Sequence, residues 1–357
     1  MIGIATSPQL ALPLENERLP QVEGSFLIRG QCWRTTEVFE TYWRFAAERQ
    51  NIFFNRLSNT SPLSKDPIFH TFKFTNAYRA SDRVSQYLIR NVIYKGSQRK
   101  EEVVFRTLLF KFFNKIETWE MLSGAFGKIA IANYDVVAFD RHLTNAFVEG
   151  VRIYSNAYIM PSAGSHGGRK HTAHLRLLER MLNDKLPVAL SRAGSMEEAF
   201  ALFRAYPTIG DFLAYQYATD VNYSDICNFS ESEFVMPGPG AKDGIRKCFP
   251  DLPLEMAADA IRSVYEQQHA QFEQRKISFR DLWGRPLQLI DCQNLFCEVD
   301  KYSRVAHPEI AGISLRTRIK QNYRPSLKPF DVFYPPKWGL SIPKGNFIRR
   351  SSKSPDM

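Results

Sequence analysis

Stretch after stretch of this chain places its apolar residues three and four positions apart, and almost none alternates them, so the core must be built from helices. After an irregular start over residues 1–30, Thr35 or Thr36 can cap a helix that buries Val38, Tyr42, Phe45, Ile52 and Phe53. The Ser- and Pro-rich run from Ser58 to Pro67 ends it. Ser81 and Asp82 open a second amphipathic helix through Val84, Tyr87, Leu88 and Val92, and Glu101 to Phe113 predicts a third, more deeply buried one. Further helical patterns cover Thr172 to Leu182, Met196 to Ala205, Asp211 to Asp220 and Leu254 to Arg275. The Gly/Ser-rich stretch Pro161 to Lys170 reads as a loop between two lobes. The expected fold is therefore all-α: a helical domain over residues 31–314 whose lobes meet near 161–170, followed by a tail over 315–357.

At 357 residues and 44% hydrophobic content, the chain is long enough for a sizeable core. No stretch approaches the roughly 18–20 uninterrupted apolar residues that cross a bilayer. Met1 to Gln21 lacks the basic-then-apolar order of a signal peptide, so an intracellular location is expected, nuclear in a eukaryote and cytoplasmic otherwise, with no membrane partner. Cys32, Cys227, Cys248, Cys292 and Cys297 form no C-x-x-C pair, which argues against a zinc or iron–sulfur site and for reduced, mostly buried thiols. His166, His171 and His174 match no standard ligand spacing, so neither metal nor cofactor is expected.

The net charge of +10 is concentrated at one end. From Leu315 onward there are ten Lys/Arg, including Arg316, Arg318 and Lys320, against two Asp, interleaved with Tyr323, Phe330, Phe333, Tyr334, Trp338 and Phe347. Cations neutralise phosphates and rings stack on bases, so this segment suits a nucleic acid, although a solubilising tail has the same composition. Its many prolines predict an extended course over the surface.

Two short stretches resemble the phosphate-gripping turn of the helix-hairpin-helix DNA glycosylases. In Met236-Pro-Gly-Pro-Gly-Ala-Lys-Asp-Gly244, Gly238, Gly240 and Ala241 precede a helix and offer N–H groups to an anion, and Lys242 falls where bifunctional members carry a Schiff-base lysine. In Tyr206-Pro-Thr-Ile-Gly-Asp-Phe-Leu-Ala214, Gly210 closes a turn before a long helix. Only one of them can be the family's turn; the later matches its glycines and lysine better, the earlier its order of elements. Cys297-Glu-Val-Asp-Lys-Tyr-Ser-Arg-Val305 resembles the segment that holds the glycosylases' aspartate at a helix start, which makes Asp300 the first candidate catalytic carboxylate. Such a carboxylate stabilises charge developing at the sugar as the base departs. Asp300 lies sixty residues beyond Gly240, much farther than the family's single helix, and a helix cap paired with Lys301 and Arg304 is the plain alternative. Asp243, Asp220 and Glu298 are the fallback carboxylates, and Lys242 or Lys301 the nucleophile should an imine form.

Taken together, Thr41-Tyr-Trp-Arg-Phe-Ala-Ala-Glu-Arg49, Phe74-Thr-Asn-Ala-Tyr-Arg-Ala-Ser-Asp-Arg83, Phe212-Leu-Ala-Tyr-Gln216 and the two segments above are similar to the helical domain named for the 5-hydroxymethyl-deoxyuridine DNA kinases. That domain resembles the alpha-glutamyl/putrescinyl thymine pyrophosphorylases, relatives of the helix-hairpin-helix glycosylases. The resemblance runs from about Cys32 to Arg304 and implies chemistry on 5-substituted pyrimidines in DNA. It does not carry a kinase activity over, since no G-x-x-x-x-G-K-[ST] loop occurs anywhere in the chain.

Asn76, Arg79, Asp82 and Arg83 gather hydrogen-bonding side chains beside aromatic ones, which suits the edge of a flipped base, although a buried salt-bridge network looks the same in sequence. Gln216 and Asp220 are candidates for the same pocket. Asn114 and Lys115 occupy the place of a glycosylase segment that contacts the gap left by an extruded base, or else simply end a core helix. The first expectation is an enzyme that recognises a flipped 5-substituted pyrimidine and cleaves its glycosidic bond; the alternatives are a transferase exchanging an activated 5-hydroxymethyl pyrophosphate for an amine and a non-catalytic reader of modified DNA, the last beside a separate nucleotide or DNA kinase.

Overall fold

The computed structural model describes residues 24–155, 168–325 and 331–343. Thirteen α-helices stand among them: α1 Glu37–Leu57, α2 Pro67–Thr71, α3 Arg83–Tyr87, α4 Lys100–Phe113, α5 Ile116–Phe126, α6 Val136–Val148, α7 Lys170–Asn183, α8 Leu186–Leu190, α9 Met196–Arg204, α10 Asp211–Asn222, α11 Pro239–Cys248, α12 Ala257–Gln274 and α13 Leu289–Ala306. The one sheet in the described residues is an antiparallel hairpin of β1 Ser25–Ile28 and β2 Gln31–Arg34. It begins inside the stretch expected to be irregular. Phe26 explains why: its ring stacks on Phe249 and tilts against Phe39, which anchors the strand to the core.

The first helix forms where the sequence predicts it. Thr36 caps α1 by accepting from Val38 N, and its hydroxyl also donates to Lys247 O, tying the start of α1 to the end of α11. α1 buries Tyr42, Trp43, Phe45 and Phe53. The segment expected to be one helix from Ser81 is instead α3 followed by a π-helical turn over Leu88–Ile93, which shifts the buried face by one residue and keeps Leu88, Ile89, Val92 and Ile93 all inside. α5, α6, α11 and α13 are helices that the periodicity left unassigned or only partly assigned.

The helices do not divide into an N-terminal and a C-terminal half at the Gly/Ser-rich stretch. α1 packs on α11 and α13 with α12 beside them, while α4 packs on α7, α8 and α10, so the first group joins helices from the two ends of the chain and the second is built from its middle, across the Gly/Ser-rich stretch. The tightest packing joins α11 to α13. A Cβ on Gly244 would lie 2.1 Å from Phe296 O, and one on Gly240 3.2 Å from Cys297 Sγ. Two glycines four residues apart thus let one helix backbone lie directly on the other.

Over residues 315–325 and 331–343 the C-terminal segment runs without an α-helix across the rest of the fold. Lys73 N donates to Gln321 O and Tyr323 N to Thr71 O, and farther on Val332 and Tyr334 are buried. Tyr334 hydroxyl bonds Ser81, and Lys337 Nζ reaches Ser224 O and Cys227 O. Among the described residues no helix is long and apolar enough to cross a membrane.

Candidate base-binding site

The loop from Phe74 to Asp82 joins the two helix groups. Arg79 sits on its last short turn, 3% exposed, with Nη2 2.8 Å from Asp220 Oδ1, Nε donating to Gln216 Oε1 and Nη1 to the Tyr223 hydroxyl. Lys111 Nζ approaches the other Asp220 oxygen at 3.1 Å and donates to Asn114 Oδ1. Asn114 ends α4 in the left-handed conformation at φ 48°, where a short polar side chain is tolerated. Arg79, Asn114, Gln216 and Asp220, four of the residues expected to touch a base, are therefore one buried network. It braces α4 and α10 against the loop. Asp291, at the third position of α13, accepts Arg79 N at 2.7 Å and Gln288 N at 3.0 Å, and burial pushes its carboxyl up to about 7.

The other side of the same loop is more open. Two consecutive amides are held by two acids: Thr75 N donates to Glu298 Oε2 at 2.9 Å and Asn76 N to Asp82 Oδ1 at 2.8 Å. Asn76 Nδ2 donates to Ser81 O, closing the loop on itself. Arg49, one turn after Phe45 on α1, donates through Nε to Thr75 O and faces both carboxylates. Glu298 is also held by Lys301 Nζ at 2.7 Å. Asp82 is different. It stands at the N-cap of α3, where an aspartate ordinarily accepts an amide of the first turn, yet its side chain makes no cap bond and turns to Asn76 instead. Among the described residues Oδ2 has no hydrogen-bond partner. Burial raises the Asp82 carboxyl to about 6, only partly offset by Asn76 N–H and Arg49. Arg83 lies exposed on the rim, 3.5 Å from Glu117, with Arg56 nearby. Arg49 was not singled out from sequence, although its spacing from Phe45 places it on the inward face of α1.

Asp300 is not at a helix start. It is the twelfth residue of α13, 3% exposed, with Oδ1 3.1 Å from Lys247 Nζ and Oδ2 2.5 Å from Arg304 Nη2. At 100° per residue, Asp300 lies about 200° round the helix from Glu298, so the two acids of the CEVDKY segment serve opposite faces. The pairing with Arg304 is present, whereas Lys301 goes to Glu298. Lys247 also bonds Ser303 Oγ and Asp300 O, which fixes α11 to α13.

Asp243, on α11, accepts Ser314 N at 2.7 Å and lies 3.7 Å from Arg316, so it anchors the start of the basic segment. Lys242 is half-buried and pairs with no acid among the described residues. Gly238 caps α11, packed so closely on Phe212 that an added Cβ would stand 2.7 Å from its ring. Ala241 is fully buried. No helix lies immediately before Gly238, whereas Gly210 stands between α9 and α10 in a turn where Thr208 adopts φ 68° and Arg204 bonds Asp211 and Ile209 O. The order of elements fits the earlier stretch. Arg318 and Lys320 are exposed, and Arg304 Nη1 donates to Arg318 O. Lys115 precedes α5 and lies 3.8 Å from Glu117.

The histidines have ordinary partners: His171 bonds Thr144 and nears Asp140, and His174 bonds Tyr154, while His166 lies outside the described residues, as do Lys328, Phe330, Lys344, Phe347, Arg349, Arg350 and Lys353. No cluster of three or more His, Cys, Asp or Glu suited to a metal occurs among the described residues. All five cysteines are free, and burial raises the thiols of Cys227, Cys248, Cys292 and Cys297.

A curated relative, the "5-hmdU DNA kinase" of Bacillus phage SP10, is 24% identical over 294 residues, covering 75% of this chain and 46% of the relative. The chain thus spans less than half that protein's length. No solved structure matches. The family model described as "5-hmdU DNA kinase, helical domain" matches residues 36–312, which contain both faces of the loop and the whole of α1 to α13. The chain belongs to that family.

Proposed function

We propose that this chain is a DNA-binding helical module that holds an extruded 5-substituted pyrimidine, of the 5-hydroxymethyluracil type named for its relative, against the open face of the loop over Phe74 to Arg83. One observation carries the reading: two carboxylates and an arginine from α1, α13 and the loop itself converge on the consecutive peptide groups of Thr75 and Asn76, with Asp82 turned to Asn76 N instead of capping its helix. The rim supplies Arg56 and Arg83 for phosphates, and the turn at Gly210, with Arg316, Arg318 and Lys320, is offered as a further site for the DNA backbone. Phosphoryl transfer would fall to a separate kinase, since this chain has no P-loop.

Bond cleavage or exchange at the base is the second reading, and what favours it is Asp82, whose raised carboxyl suits proton transfer near neutral pH. Asp300 does not favour it, because both its oxygens already face cations. The test incubates the purified chain with duplexes carrying one thymine, one 5-hydroxymethyluracil or one bulkier 5-substituted pyrimidine, measures binding, and weighs the products by mass spectrometry. Tighter binding of the modified duplexes with unchanged masses supports the holding module. A released base, or a substituent exchanged once an amine donor is added, establishes the enzymatic reading, and equal binding of all three duplexes with unchanged masses in either case refutes both.

A further inference from the structure

Four acids lie around the loop, and three of them are already committed. Asp220 faces Arg79 and Lys111. Asp291 receives two amides inside the protein, and Glu298 holds Thr75 N and Lys301 Nζ. Asp82 accepts Asn76 N with one oxygen, and its Oδ2 has no hydrogen-bond partner among the described residues. A carboxyl bonded in this way has a definite chemistry when protonated: Oδ1 remains the acceptor of the Asn76 amide, and the proton resides on Oδ2 as a donor.

We infer that Asp82 meets the extruded base as an acid, its Oδ2–H donating to the oxygen of the base's 5-hydroxymethyl group. No covalent bond changes. One proton is taken from solvent when the carboxylate form binds, and it sits between Oδ2 and the base oxygen. The groups facing Asp82 are Arg49 from α1, Glu298 from α13, Arg79 from the loop and the Tyr334 phenol from the C-terminal segment. A base that covers the site removes further water from the carboxyl and strengthens the preference for the proton. The inference rests on the proposed function and names its specificity-determining residue.

The experiment measures the affinity ratio between a duplex with one 5-hydroxymethyluracil and its thymine twin from pH 8 to pH 6, for the wild-type chain, Asp82→Asn and Asp82→Glu. The thymine twin cancels pH effects on general DNA binding. The ratio is expected to grow as pH falls, by up to about tenfold per unit, to lose its slope in Asp82→Asn and to regain it in Asp82→Glu. A purely structural Asp82 would lower affinity at every pH without changing the slope. A pH-independent preference in the wild type, or a slope that survives in Asp82→Asn, overturns the inference while the proposed function stands. A ratio of one at every pH in the wild type removes the proposed function and the inference with it.

Discussion

On one face of α13, Asp300 is held by Lys247 and Arg304 in a space almost closed to water; facing the other, Asp82 is held by one amide with its second oxygen open. Both are aspartates in motifs that carry a family resemblance, and both are close to arginines. The difference is in how many partners each has. An acid whose oxygens both face cations braces the fold, because moving it would strand two buried positive charges. An acid with fewer partners than its oxygens can take is available to a ligand, and partial burial then tunes it toward neutrality.

The largest effect that would separate the two is on stability. Asp300→Ala should cost about 3–5 kcal/mol in urea unfolding, since it leaves Lys247 and Arg304 uncompensated inside the α11–α13 packing. Asp82→Asn should change stability at pH 7 far less. An Asp300→Ala chain as stable as the wild type, but unable to act on DNA, would reverse the two assignments.

The second effect concerns pH. The folded carboxyls of Asp82 and Asp291 are raised to about 6 and about 7, above the 3.8 of the free side chain. A raised acid binds its proton more tightly folded than unfolded, so stability rises as pH falls through these values and declines as pH rises through them. Between pH 8 and pH 6.5 the melting temperature should rise by a few degrees, mostly through Asp291, and Asp82→Asn should leave most of that rise intact. A melting temperature that falls over this window would mean that neither carboxyl is raised.

The smallest effect tests the basic end. Lys337 is already spent on two carbonyls and Tyr334 is in the core, so removing everything after Leu327 would confuse docking with DNA binding. Removing Lys344 to Met357 leaves the docked part in place. The melting temperature should stay within about 2 °C, and the slope of log affinity against log salt should drop by roughly 1–3, near one for each phosphate no longer neutralised. An unchanged slope would make these residues solubilising only.

Helix positions were legible because burial imposes a 3.6-residue period on the amino acids themselves, as the capped α1 shows from Thr36 onward. The loop over Phe74 to Arg83 stood out too, as Asn, Arg and Asp crowded between aromatic residues, but a buried ion-pair network calls for the same residues, and that is where Arg79 went. Asp300 was misplaced because a local V-D-K-Y pattern does not say how far into a helix it falls, nor that Lys247 waits on the neighbouring helix. The two glycine stretches were indistinguishable for a similar reason: tight backbone approach and anion binding both call for a missing side chain, and only the presence of Phe296 O beside Gly244 marks the GPGAKDG run as helix packing.

By itself, then, the sequence determined an all-helical chain of a recognisable family, with its basic charge at one end and its polar loop near the first helix. The tertiary structure alone decided which carboxylate is braced and which is open. Local spacing fixes the face on which a side chain emerges, but the charges it meets come from residues far along the chain, and those neighbours set both its partners and its proton affinity.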